Sequence, residues 1–469
     1  MPGRQQTVPP LIHMNNSATL YVSEAKIHPR EVDGRFDKLR TISTIVLLGI
    51  YYLTPWLRWD SRQAVLFDLP ARRFYIFDLT FWPQDFFFMA WLLVIAGVSL
   101  FFFTALAGRV WCGYACPQTV WTNAFVWIER MVEGNRSKRI KLDKAPWSTT
   151  KLLRKGTKQA MWISFALWTG FTFVGYFTPI LELAREVVTF SLGGWEVFWV
   201  LFYSFATYGN AGIMREQVCK YMCPYARFQS AMFDRDSLIV SYDTYRGEPR
   251  GSRKRGTPRE ATELGDCIDC TLCVQVCPTG IDIRDGLQYE CIACAACVDA
   301  CDGVMDKMGY PRGLVRYTTE NALEGRPSRI LRPRTAIYGL LLIALVVGLT
   351  TALATRSALR LDVLRDRNAL YRELGGDQIE NVYTLRVTNK TETDREIAVD
   401  VEGLPGLTLD PEAARFDAAA GELTTVAARV RADGAAAAAG GHDIRFTIRF
   451  AADPDVTATS ESRFFLPLD

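Results

Sequence analysis

The chain has 469 residues, enough for two or three domains, and a formal net charge of only +3. That charge is too small to argue for a nucleic-acid partner, and a mean hydropathy near zero hides a sharp split between apolar and polar segments. Three histidines, His13, His28 and His442, lie outside every apolar run, which excludes a bis-histidine haem inside a membrane and a C-x-x-C-H haem attachment. A G-x-G-x-x-G dinucleotide fingerprint and a P-loop lysine motif are also missing, so electrons would have to come from an outside donor.

In chain order, residues 1–35 read as a polar, flexible tail with no cleavable signal peptide expected. Five apolar segments then follow that could cross a bilayer: about 41–57, 86–107, 159–181, 195–214 and 335–355. The first is short, though Tyr51, Tyr52 and Trp56 suit an aromatic belt. The fourth carries one charge, Glu196, and together with Glu182 and Glu186 this makes an outer-end carboxylate group best read as a solvated loop. Loop charge sets the expected orientation. Residues 108–158 hold eleven Lys and Arg against three acids, and 215–334 hold eighteen Lys and Arg, whereas 182–194 have only Arg185. Four arginines in 58–85 pull the other way. The balance predicts a cytoplasmic N-terminus, cytoplasmic 108–158 and 215–334 regions, and a far-side segment 356–469. The Arg-rich stretch 246–256 is expected to be a solvated, positive-inside loop.

After each of the second and fourth apolar segments comes a C-x-x-x-C-P motif: Cys112, Cys116 and Pro117, then Cys219, Cys223 and Pro224. The spacing suits two thiols on one helical face, and the proline marks a break or a new helix start. If the two segments pack together, four sulfurs converge. Such thiols could hold Cu(I), zinc or an iron–sulfur cluster, cycle as a dithiol, or pack as small hydrophobes. Met214 and Met222 flank the second motif and are expected to serve packing.

Next come two runs spaced C-x-x-C-x-x-C-x-x-x-C: Cys267, Cys270, Cys273, Cys277 and Cys291, Cys294, Cys297, Cys301. This is the bacterial ferredoxin spacing, in which the fourth cysteine of each run ligates the cluster of the other. It assigns Cys267, Cys270, Cys273 and Cys301 to one [4Fe–4S] cluster and Cys291, Cys294, Cys297 and Cys277 to a second. Zinc sites and disulfides are the weaker readings: zinc rarely takes three cysteines packed at this spacing, and a disulfide needs an oxidising compartment, whereas all twelve cysteines fall in segments expected to face a reducing one. Asp302 stands where the first run has Pro278. Beyond the fifth apolar segment, alternating stretches such as 381–389, 395–403, 424–432 and 442–450 predict about seven short strands and an immunoglobulin-like β-sandwich, suited to protein binding or to stabilising the outer face. The domain plan is therefore a tail (1–35), a four-helix membrane domain (36–235), a ferredoxin-like 2[4Fe–4S] domain with connectors (236–334), a fifth transmembrane helix (335–355) and a β domain (356–469).

Taken together, W-C-G-Y-A-C-P, C-K-Y-M-C-P, the double ferredoxin run, M-D-K-M-G-Y-P-R-G-L-V-R-Y at 305–317, and a P-R-x-V-x-G-R-F pattern near Pro29–Phe36 (here with Glu31 and Asp33) resemble the FixG/CcoG/RdxA family. The resemblance implies an accessory protein of the bacterial inner membrane that reduces Cu(II) to Cu(I) for assembly of cbb3-type cytochrome oxidase. Cys112, Cys116, Cys219 and Cys223 would then be the catalytic, copper-handling residues. It further implies two [4Fe–4S] clusters, copper as substrate or transient ligand, and, as partners, a cytoplasmic electron donor, a copper transporter or chaperone, and oxidase subunits or assembly factors. Two alternatives stand beside it: a quinol-linked or relay electron-transfer subunit, and a non-catalytic assembly scaffold.

Overall fold

The computed structural model describes residues 26–467, apart from 60–61, 231, 258–262, 367–368, 376 and 392. Most of the N-terminal tail, with His13, and the start of the ferredoxin region near residue 260 lie outside the described residues. The chain forms two compact units, one of residues 1–78 and 96–340, the other of 79–95 and 341–469.

In the first unit, helices Pro117–Glu133 and Thr149–Val174 and the segment Tyr208–Met214 share a core of Phe125, Trp162, Ala166 and Ala211; helix Arg35–Leu53 packs on the first of these helices and Gly194–Thr207 on the second. Gly170 lets two of these helices come close, because a Cβ there would sit 2.3 Å from the Val200 carbonyl oxygen. Tyr51 donates to the Thr169 carbonyl at 2.9 Å, and the Tyr52 hydroxyl meets the Thr169 hydroxyl at 2.6 Å. The ferredoxin region is framed by strands Ile239–Tyr242 and Val315–Thr318, paired antiparallel. Its core is built from Val240, Val298, Met305 and Leu314 around the cysteine loops. The N-terminal segment fastens onto this core. Arg30 N–H donates to the Gln275 carbonyl at 2.8 Å, and the Asp299 carboxylate accepts from the N–H groups of Phe36 (3.2 Å) and Asp37 (2.8 Å). Asp299 thus satisfies orphan donors in the first turn of helix Arg35–Leu53. The expected solvated loop 246–256 is instead drawn back onto the fold. Arg246 pairs with Asp266 at 2.5 Å and donates to the Arg312 carbonyl at 2.9 Å, and Arg255 donates to the Lys307 carbonyl at 3.1 Å. Local charge counting could not see these backbone acceptors.

The second unit holds two antiparallel sheets. One contains strands Thr408–Leu409, Leu423–Asp433, Gln378–Asn389 and Leu359–Arg365 in that order, with Arg372–Leu374 beside the third. The other runs Arg415–Ala418, Arg395–Glu402, Gly440–Phe450, Thr457–Leu466. Among the described residues nine strands form where about seven were expected, because two- and three-residue edge strands leave almost no alternating pattern. Tyr383, Leu385, Val387, Phe446, Ile448 and Phe464 fill the space between the sheets. Asn381 bridges the sheets by donating to the Phe465 carbonyl (2.9 Å) and accepting its N–H (3.0 Å). Residues 79–95 join this unit through Asp85, which pairs with Arg356 at 2.5 Å and Lys390 at 3.2 Å.

Among the described residues, Phe86–Ala107 and Pro333–Ala354 are long and apolar enough to cross a membrane, and the pair Ile180–Thr189 with Gly194–Met214, bent by 99°, adds a third candidate. Helices cover the two remaining segments read as spans. Thr149–Val174 begins with several basic residues, and Arg35–Leu53 begins with charged ones, which lowers the apolar character of each. The fourth segment is α-helical only to Thr207 and continues as a π-helix to Met214.

Candidate iron–sulfur and thiol centre

The two ferredoxin runs fold in the same way. Asp269 and Thr271 flank Cys270 with φ of 53° and 56°, and Ala293 and Ala295 flank Cys294 with φ of 52° and 56°. Left-handed geometry at four non-glycine residues is strained, and it curls each loop around a hollow. One hollow is lined by Cys267, Cys270, Cys273 and Cys301. The other is lined by Cys277, Cys291, Cys294 and Cys297, with Cys273 at its edge. Each hollow therefore gathers three cysteines of one run and the last of the other. After Cys277, Pro278 ends the short helix Leu272–Val276. Asp302 leaves helix Ala296–Met308 unbroken, and its carboxylate accepts the Gly313 N–H at 2.8 Å. The departure in the second run is thus a helix continuation and leaves all four thiols in place.

The C-x-x-x-C-P motifs also repeat one geometry. Cys112 lies in helix Val110–Tyr114, and Cys116 has extended φ and ψ of −60° and 129° before Pro117 opens helix Pro117–Glu133. Cys219 lies in a π-helical turn, Val218–Met222, and Cys223 is extended at −78° and 109° before Pro224 opens the next helix. The second cysteine of each pair has therefore left the helix, so the two thiols do not share one continuous helical face. The proline sterics at the preceding residue account for this.

The four thiols still lie within electrostatic reach of one another. Burial first, then the charges of Cys116, Cys219 and Cys223, pushes the Cys112 thiol up to about 12. Burial, then Cys116 and Cys223, does the same for Cys219, to about 12. Burial also raises Cys116, against the pull of the N–H groups of Thr119 and Gln118 at the start of the following helix. In the ferredoxin loops burial lifts Cys273 to about 11 and Cys291 and Cys301 to about 12, with neighbouring cysteines adding to it. Such crowded, buried thiols become thiolates only when a cationic centre stabilises them, so the donor sets fit iron–sulfur groups. Among the described residues no three His, Cys, Asp or Glu stand close enough to enclose a single metal ion.

The first thiol motif sits directly on the second ferredoxin loop. A Cβ at Gly113 would lie 2.8 Å from the Ile292 carbonyl oxygen and 2.9 Å from the Cys294 Cα. Arg109, buried, donates to the Cys291 carbonyl at 3.2 Å and to the Ala226 carbonyl at 2.7 Å. Tyr114 donates to the Cys294 carbonyl at 3.4 Å, and the Cys112 thiol reaches Gln229 Oε1 at 3.5 Å. Sequence reasoning missed Arg109, Gly113, Gln229 and Arg215. An arginine just ahead of each motif, Arg109 and Arg215, was the signal that could have found two of them. The outer carboxylates hold no comparable place: Glu182 is exposed, and Glu186 and Glu196 are half-buried.

Apolar helices, paired cysteine loops and a separate β-sandwich define a membrane iron–sulfur protein of ferredoxin type. Comparison with known proteins agrees. Residues 214–320 match the family described as 4Fe-4S dicluster domain, 87–135 match 4Fe-4S binding domain, and 349–467 match the IG-like fold at the C-terminal of FixG. The chain is 42% identical over 427 residues to the nitrogen fixation protein FixG of Rhizobium meliloti, covering 83% of this chain and 82% of that one. It is 44% identical over 410 residues to protein RdxB of Cereibacter sphaeroides, covering 84% and 86%. A crystal structure of a FixG-related protein from Vibrio parahaemolyticus matches 24% of this chain and 100% of its own, at 29% identity and a TM-score of 0.22. The chain belongs to the FixG/RdxA family.

Proposed function

We propose that this chain is a multi-pass protein of the bacterial inner membrane, with five spans, a cytoplasmic ferredoxin domain and a periplasmic β domain, that reduces Cu(II) to Cu(I) for assembly of cbb3-type cytochrome oxidase. Cys267, Cys270, Cys273 and Cys301 would hold one [4Fe–4S] group, and Cys277, Cys291, Cys294 and Cys297 the other. These groups supply one-electron transfer when bound. The chain's own residues do the rest. Gly113, Arg109 and Tyr114 lock the thiol site onto the loop of Cys291–Cys294. Cys112, Cys116, Cys219 and Cys223 offer soft sulfur, which favours Cu(I) over Cu(II). The packing of Gly113 against the Cys294 backbone is the observation that supports the reading, because it sets the motif of Cys112 and Cys116 against a cluster-binding loop. The partners would be a cytoplasmic electron donor, a copper transporter or chaperone, and oxidase subunits or assembly factors.

Serine at all four motif cysteines tests it. Copper reduction with a one-electron donor should vanish while the iron of the eight ferredoxin ligands stays. Reduction at the parent rate would sink the copper site. A second reading has its own support: the match of residues 87–135, which hold Cys112 and Cys116, to a 4Fe-4S binding domain suits a third cluster and a relay role. In that case the four-serine protein would lose about four irons, one cubane's worth.

A further inference from the structure

One cavity borders the ligand sets above without being either cluster hollow. It lies where the segment around Pro29 and helix Pro117–Glu133 meet the second ferredoxin loop, and Cys219 and Cys294 both reach its wall. About 70 Å³ of it is open to the centre of a water molecule, room for about five waters. That is the scale of a small organic acid.

Its wall is cationic and incompletely satisfied. Arg30, Arg40, Arg130 and Arg215 line it against one acid, Glu216. Arg40 and Arg215 have carboxylate partners in Asp37 and Glu129, so the excess is smaller than the count suggests. The unpaired donors are specific. Arg215 is only 6% exposed; its Nη2 donates to Glu129 at 2.8 Å and its Nε to the Gly212 carbonyl at 3.0 Å, and its buried Nη1 has no hydrogen-bond partner among the described residues. The buried Nε of Arg130 also lacks one, with Glu31 no nearer than 4.0 Å. Arg215 is further held at φ 45°, a left-handed geometry that costs a non-glycine residue strain. Buried guanidinium N–H groups without acceptors are unfavourable, and an oxyanion is the acceptor their fork fits best.

We propose that this cavity receives a small polycarboxylate anion and that copper reaches Cys219 as the complex of such an anion. The second half rests on the copper reading above. Oxygen ligands suit Cu(II), and sulfur suits Cu(I). The exchange breaks copper–oxygen bonds and forms copper–sulfur bonds, the thiol protons pass to water, and the freed carboxylates stay on the arginines. Copper does not change oxidation state in this step.

The test begins without copper. Labelled citrate, in equilibrium dialysis against the full-length purified protein, should bind saturably. Arg215→Gln should weaken it about tenfold, the worth of one charge-assisted hydrogen bond. Thr122→Leu, which fills the cavity and leaves the Arg215–Glu129 pair in place, should weaken it as much. Inorganic phosphate should compete poorly. Copper should then pass to the thiols faster from its anionic citrate complex than from its cationic ammine complex, and this preference should disappear in both variants. Absence of citrate binding, or binding unchanged in both variants, overturns the site. Phosphate competing as well as citrate overturns the carboxylate assignment. Citrate binding as expected while copper from neither complex reaches the thiols overturns the copper reading and, with it, the carrier role.

Discussion

Gly113 and Cys294 touch backbone to backbone: a Cβ added to Gly113 would stand 2.9 Å from the Cys294 Cα and 3.0 Å from the Ala293 carbonyl oxygen. Real Cβ atoms do not come that close to backbone, so Gly113→Ala must push the motif helix and the cluster loop apart. Neither Cys112 nor Cys294 is altered chemically. The expected outcome is intact iron content with electron delivery to the thiol site slowed about tenfold or more, as misplacing a reacting pair costs in general. Rapid-mixing absorbance of the reduced protein with an acceptor would measure it. An unchanged rate would mean that electrons take a route that avoids this contact.

Cys301 stands at the end of the second run but lines the hollow of the first, with Cys267, Cys270 and Cys273. Cys301→Ala should therefore perturb the first cluster and leave the second. Loss of up to about four of about eight irons is expected if the cluster falls out, since each cubane holds four. Electron paramagnetic resonance on anaerobically reduced protein would distinguish the two centres. Damage confined to the centre of Cys291, Cys294 and Cys297 would contradict the crossed arrangement.

The ferredoxin loops were legible because ligand chemistry fixes cysteine spacing within a dozen residues. The sandwich was legible in its long strands, where alternation in segments such as Gln378–Asn389 repeats often enough to register. The contact between Gly113 and Cys294 was not, because it joins residues far apart in sequence and rests on a missing side chain. Asp299 capping helix Arg35–Leu53 was hidden for the same reason. The thiol pairs were visible as pairs, but their break in helical geometry depends on Pro117 and Pro224, and their mutual approach on how the helices pack. Arg215 looked like an ordinary positive-inside charge; its place ahead of the motif, matching Arg109, was its one sequence signal, and its burial and pairing with Glu129 are visible only in the fold.

Glu129 is fully buried between Arg215 at 2.8 Å and Arg139 at 3.3 Å, with Lys26 at 3.4 Å. Burial raises its carboxyl, but Arg215 and then Lys26 outweigh it and hold the group at about 2. A depressed carboxylate contributes stability that is present above its unfolded value near 4.5 and is lost as pH falls toward 2. Acid unfolding of the parent should therefore steepen through that window. Glu129→Gln should flatten the window and cost about 3–5 kcal/mol at neutral pH, because two buried guanidinium groups lose their partner. Thermal unfolding in detergent across pH would check both. A parent and variant with the same acid limb would show that the network is not what acid breaks.

The thiol quartet makes a prediction about metal removal. Without a cationic centre, burial first and then the charge of the other sulfurs push Cys112 and Cys219 up to about 12. An acid raised above its ordinary value of 9.0 stabilises the fold in its protonated form; that contribution is intact below 9.0 and is lost as pH rises toward 12. Metal-stripped protein should thus lose stability on the alkaline side. At neutral pH its Cys112 and Cys219 should react with iodoacetamide far more slowly than an exposed cysteine, because little thiolate is present. Binding a soft cation reverses the balance, since thiolates are the ligands and their protons leave on binding. Adding Cu(I) to the stripped protein should therefore release protons and remove the alkaline loss of stability. It should protect the same cysteines by ligation, now as bound sulfur. Titration in weak buffer with a pH indicator reads the protons, and mass spectrometry of the alkylated peptides reads the sites. Fast alkylation of Cys112 and Cys219 in the stripped protein, or copper uptake without proton release, would show that these thiols are already ionised and that burial does not govern them.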